Sequence, residues 1–145
     1  MSSPVRDIMS TDLQVLSPDD NIYEAALMMR QNDVGIIPVC DHGKICGVVT
    51  DRDLVIRGIA EKRPNSSQIG EVMSDELVTG EPDMSVDDVA LLMADYQVRR
   101  LPIVENGMLV GVVSLGDLAV HMPYMNEASE ALNEISHNTD HGYMQ

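Results

Sequence analysis

Two hydrophobic rhythms follow one another along this chain, and the succession occurs twice. Ile22, Ala25, Ala26 and Met29 recur at i, i+3, i+4 and i+7, the stripe of an amphipathic helix. Val86, Val89, Ala90 and Met93 repeat the pattern. Behind each stripe come two short runs rich in β-branched residues, 36–40 with 45–50 and 101–104 with 109–114. Turn residues separate the runs, Asp41-His42-Gly43-Lys44 in one case and Glu105-Asn106-Gly107-Met108 in the other, so each pair predicts a β-hairpin. The helix starts carry capping-box spacing at Asn21…Glu24 and Ser85…Asp88. A second helix opens at Thr50 and at Ser114. With the leading segments 5–16 and 69–79 in front, the predicted order is β-α-β-β-α, twice.

The two halves align residue for residue. Residues 5–57 match 69–121 at a constant offset of 64 without a gap, and 16 of the 53 pairs are identical. Most other pairs exchange one aliphatic residue for another, so both halves should share one backbone. The expected class is α/β, with two β-α-β-β-α repeats packed about a pseudo-two-fold axis. Residues 58–68 read as the linker, with Pro64, Asn65, Ser66 and Ser67. Residues 122–145 lie outside the repeat and contain one expected short helix, 126–135, on a stripe of Ala128, Ala131, Leu132 and Ile135.

Composition narrows the function. The 145 residues are 44% apolar but hold no Trp or Phe and eleven Met, which predicts an aliphatic core. Nine Lys and Arg stand against twenty-four Asp and Glu, a net charge of -15. That balance argues against a nucleic-acid partner and against anionic membranes. No apolar run approaches the roughly 20 residues of a membrane span, and residues 1–6 have no signal-peptide character, so a cytoplasmic address is expected.

The chemistry concentrates where the second hairpin run meets the second helix. Gly47-Val48-Val49-Thr50-Asp51-Arg52-Asp53 and Gly111-Val112-Val113-Ser114-Leu115-Gly116-Asp117 are the same phrase. A hydroxyl with a carboxylate three residues later is a capping box, which explains Thr50/Asp53 and Ser114/Asp117 structurally. The same groups suit a nucleotide, because helix N-termini attract phosphate and a carboxylate accepts hydrogen bonds from a ribose diol. The two readings are compatible.

With the stretches Gly35-Ile36-Ile37-Pro38 and Arg99-Arg100-Leu101-Pro102 ahead of them, these paired phrases resemble a tandem CBS pair, or Bateman module, of the standalone bacterial type with no attached effector domain. The resemblance spans residues 5–121. It implies an adenosine ligand in the cleft between repeats: AMP, ADP or ATP, less readily NAD or S-adenosylmethionine. Carried over by position, Asp53 and Asp117 would take ribose hydroxyls, and Thr50 and Ser114 the ribose or first phosphate. Ile37-Pro38 and Leu101-Pro102 would wall the adenine, beside Met9 and Met73. It also implies a homodimer, and an output that acts on a protein effector in trans.

The copies differ at the site. Gly35-Ile36 faces Arg99-Arg100 in the alignment, and Asp51-Arg52 faces Leu115-Gly116. Asp51 opposes a phosphate unless Arg52 neutralises it, which favours Ser114/Asp117 as the working pair. Arg52, Arg99 and Arg100 belong to a group of six bases near the motifs and linker, where they serve either as an anion site or as partners of the acidic surface. Cys40 and Cys46 flank a turn that contains His42, but their counterparts are Val104 and Val110, so they read as inert thiols in a core. His137, Asp140 and His141 read as a solvated terminus. No catalytic residue and no metal set is identified, and an enzyme is not expected. Two alternatives stay open: a ligand-free CBS scaffold or stress protein acting through protein contacts, and a metal- or redox-responsive module.

Overall fold

The computed structural model describes residues 3–121. The expected helix 126–135 and the residues His137, Asp140 and His141 lie outside the described residues. In chain order the elements are α1 (Ile22–Asn32), β1 (Ile36–Asp41), β2 (Lys44–Thr50), α2 (Asp51–Asp53), α3 (Val86–Tyr96), β3 (Arg100–Glu105), β4 (Met108–Ser114) and α4 (Leu115–His121). Short 3-10 turns occupy Val5–Asp7 and Ile69–Glu71, and α2 runs on into a π-helical stretch, Leu54–Ile59. The fold is α/β. No helix among the described residues is long and apolar enough to cross a membrane.

Local chemistry sets the boundaries. Asn21 Oδ1 accepts the Glu24 amide at 2.9 Å and Ser85 Oγ accepts the Asp88 amide at 3.0 Å, which starts α1 and α3 where the capping signals put them. Asp33 and Gln97 end these helices in the left-handed conformation, at φ 53° and 55°. Both hairpins turn on two residues of positive φ, His42-Gly43 and Asn106-Gly107. That backbone matches the twist of the flanking strands and suits Asn and Gly. β1 pairs antiparallel with β2, Ile37 opposite Val49 and Val39 opposite Gly47, with an irregularity between Val39 and Cys40.

Two expectations need correction. The leading element of each repeat is not a continuous strand but isolated bridges, antiparallel at Ser10 with Val112 and Ser74 with Val48, and parallel at Leu16 with Val39 and Gly80 with Ile103. Pro18 and Pro82 follow within two residues, and a residue without an N–H cannot extend a ladder. Ala26 is exposed, whereas its counterpart Ala90 is buried. One helical turn further on, Ala90 has the buried Ala94 but Ala26 has the exposed Arg30, so that side of α1 faces water.

The chain folds into two compact units whose membership differs from the linear repeat. One comprises residues 14–77 with 107–109, and the other residues 3–13, 78–106 and 110–121 of the described part. Each core therefore holds a leading segment from the other repeat. Ile69 and Val72 are fully buried with Leu16, Ile22, Ala25, Met29, Ile37, Val39 and Val49. Val5 is fully buried with Val86, Val89, Ala90, Met93, Leu101, Ile103, Val113 and Leu118. Val5 and Ile69 are counterparts under the offset of 64, so each fills in one unit the place that the other fills in the second.

Candidate functional site

In each unit the motif strand delivers its last residue to the start of a helix. Thr50 Oγ1 accepts the Asp53 amide at 3.0 Å, and Asp53 Oδ2 accepts the Thr50 amide at 3.0 Å. The second repeat matches: Ser114 Oγ accepts the Asp117 amide at 3.1 Å and Asp117 Oδ2 accepts the Ser114 amide at 2.9 Å. All four residues are half-buried. Capping leaves chemistry in hand, since each hydroxyl keeps its proton to donate and each carboxylate keeps unused lone pairs. A donor and an acceptor thus stand side by side, held by their own backbone.

A second layer of hydrogen bonds sets what borders each pair. The Asp51 amide donates to the Gly35 carbonyl at 2.9 Å and the Leu115 amide to the Arg99 carbonyl at 3.0 Å. The copies therefore differ where they matter. Beside Thr50 the Asp51 carboxylate packs over Gly35, where a Cβ would lie 3.1 Å from Asp51 Oδ2. Beside Ser114 the neighbour is Arg99, followed by Arg100. Asp51 Oδ1 accepts the Arg52 backbone amide at 2.8 Å. Among the described residues the ion pairs are Arg6 with Asp83, His42 with Asp41 and Arg63 with Glu71, so Arg52, Arg99 and Arg100 take no part in one.

The motif glycines let the leading segments approach. Ser74 and Val48 exchange backbone hydrogen bonds at 2.8 and 2.9 Å in one unit, as Ser10 and Val112 do at 2.8 and 3.0 Å in the other. A Cβ on Gly47 would meet the Ser74 carbonyl oxygen at 2.5 Å, and one on Gly111 would meet Met9 Sδ at 2.4 Å. Met73 therefore belongs with Thr50 and Asp53, and Met9 with Ser114 and Asp117. The remaining expected site residues divide accordingly: Ile37, Pro38 and Arg52 in the first of these units, Leu101, Pro102, Arg99 and Arg100 in the second.

Ile37 and Leu101 require a correction. Both were expected to wall an adenine, yet both are 0% exposed within the cores. Strand alternation explains it: Ile37 shares its side of the strand with Val39, and Leu101 with Ile103. Pro102 is also buried, while Pro38 is half-buried. What these positions can offer a ligand is backbone and, at Pro38, part of a ring.

The thiols are part of the packing. Cys40 is 8% exposed, and burial, with Cys46 nearby, pushes its pKa up. The Cys46 pKa is also raised, first by burial and then by Asp41, with a hydrogen bond from its own backbone pulling the other way; its Sγ donates to the Val39 carbonyl at 3.3 Å. Among the described residues no three His, Cys, Asp or Glu side chains group as a metal set.

Comparison with known proteins agrees with this geometry. The CBS domain family model matches residues 5–58 and again 69–124. The chain is 48% identical over 139 residues to the CBS domain-containing protein YhcV of Bacillus subtilis, covering 96% of this chain and 99% of that one. It is similar to the crystal structure of Hypoxic Response Protein I with two coordinated zinc ions, at TM-score 0.75 and 32% identity over 83% of this chain and all of that one. It is also similar to CBSX2 in complex with AMP, at TM-score 0.74 and 25% identity over 83% of this chain and 96% of that one. On these grounds the chain belongs to the CBS-domain family, as a tandem pair of CBS domains.

Proposed function

We propose that this chain is a regulatory sensor of an adenosine-containing nucleotide, AMP, ADP or ATP, and catalyses no reaction. The observation that carries the reading is the pair of reciprocal boxes, Thr50 with Asp53 and Ser114 with Asp117, each presenting a hydroxyl donor beside a carboxylate acceptor. A ribose diol donates to such a carboxylate, and the hydroxyl donates to a ribose or phosphate oxygen. The AMP complex of CBSX2 supports the ligand class. Ser114 and Asp117 form the preferred site for a phosphorylated ligand, because Arg99 and Arg100 stand beside them while Asp51 stands beside Thr50. Ligand binding favours one of two conformers that differ in affinity for it, and a homodimer passes that state to a protein partner in trans. The site of action is the cytoplasm.

Calorimetric titration with AMP, ATP and S-adenosylmethionine tests this, on the wild type and on Asp53→Ala and Asp117→Ala. Saturable binding of an adenine compound, from which Asp117→Ala removes the tighter site and leaves the weaker one at Thr50 and Asp53, is the expected result. Binding that both variants leave unchanged removes these carboxylates from the site. Zinc enters the same titration because Hypoxic Response Protein I holds two zinc ions. Stoichiometric zinc binding with no nucleotide binding would replace the sensor reading by a metal-responsive one.

A further inference from the structure

Four residues beyond Asp53, the Arg57 side chain reaches back to the leading segment of the second repeat. Its Nη1 donates to the Met73 carbonyl at 3.1 Å and, at the longer distance of 3.4 Å, to the Val72 carbonyl. The Arg57 carbonyl in turn accepts from Arg63 Nε at 3.0 Å, and Arg63 Nη1 lies 3.6 Å from Glu71 Oε2. Two guanidinium groups thus hold residues 71–73. The next residue, Ser74, is the one bonded in both directions to Val48, two positions before Thr50. Among the described residues the second repeat has no equivalent, because the counterpart of Arg57 is His121 and the ion pair on the other leading segment is Arg6 with Asp83.

We infer that Arg57 is a positioning residue for the Thr50/Asp53 site. It clamps the 72–73 backbone and so fixes Met73 and Ser74 against β2 beside the capping pair. A guanidinium suits the task, since its planar fork offers several donors at once to neighbouring carbonyls. The ligand part of this inference rests on the sensor reading above; the clamp itself rests on the hydrogen bonds alone. One consequence is an asymmetry between the two sites, one held by a clamp and the other without it.

Amide hydrogen exchange on the full chain, paired with AMP titration, separates these layers. Arg57→Ala is expected to lower protection at Val48 and Ser74 about tenfold, the effect of losing a charge-assisted hydrogen bond. Ser10 and Val112 should keep their protection, and Arg57→Lys should restore part of the loss. Unchanged exchange at Val48 and Ser74, or an equal loss at Ser10 and Val112, overturns the clamp. With the clamp in place, AMP binding in an Asp117→Ala background should weaken about tenfold on Arg57→Ala and recover partly with Lys. AMP affinity in that background that is indifferent to Arg57 overturns the positioning role. A wild-type chain that binds no AMP overturns the sensor reading and the ligand part together, and leaves the exchange result to decide the clamp.

Discussion

At the scale of single residues, the two motif glycines do the same job against different neighbours. A Cβ on Gly47 would collide with backbone, the Ser74 carbonyl oxygen at 2.5 Å, whereas one on Gly111 would collide with the Met9 side chain. Backbone paired on both sides yields less than a thioether chain, so Gly47→Ala should cost about 3 kcal/mol and Gly111→Ala about 1 kcal/mol. Urea denaturation of the two variants checks the order; equal costs would contradict it. The thiols make a second prediction. Their raised pKa values mean that the folded chain holds protons that the unfolded chain releases. Their contribution is fully present below the ordinary thiol pKa and is lost as pH rises through the folded values. Stability should therefore fall on the alkaline side, and less steeply in a Cys40→Ala, Cys46→Ala variant, as denaturation at pH 7 and pH 10 would show. Capping pairs were legible in the sequence because a hydroxyl three residues before a carboxylate at a strand-to-helix junction is a local signal. Burial just ahead of them was not: Ile37 and Leu101 match the family phrase, but strand alternation turns both into the cores.

At the scale of elements, the exchange of leading segments has the largest consequence. Ile69 lies in the second repeat by sequence but is fully buried in the core of the unit built from α1, β1 and β2. Ile69→Ala should cost about 3 kcal/mol as a large-to-small core change. Its loss of hydrogen-exchange protection should appear in α1, β1 and β2, and not in α3 or β3. Loss confined to α3 and β3 would contradict the assignment. Helices, hairpins and turns could all be read from the chain, since periodicity, capping residues and Asn-Gly or His-Gly turns act over a few residues. Segment exchange could not. A repeat at constant offset shows that two backbones are alike, but Val5 and Ile69 are both aliphatic and each fits either core. Arg57 was likewise visible only as one of several bases near the motifs, because its partners are backbone carbonyls fifteen and sixteen residues away.

At the scale of the whole molecule, the duplication supplies two copies of one capping pair in a chain of net charge -15. That charge keeps polyanions away in general, so a phosphorylated ligand needs local compensation. On the proposed reading Arg99 and Arg100 supply that compensation near Ser114 and Asp51 opposes it near Thr50, so two like boxes become unequal sites. The central claim is that an adenine nucleotide binds the folded chain through these boxes, and thermal unfolding with and without AMP tests it most directly. At about 100 times its dissociation constant, a ligand that binds only the folded state adds about 2.7 kcal/mol, a clear rise in melting temperature. The account predicts that rise for the wild type and a smaller one in Asp117→Ala; a melting temperature unmoved by AMP, ADP and ATP alike would contradict it.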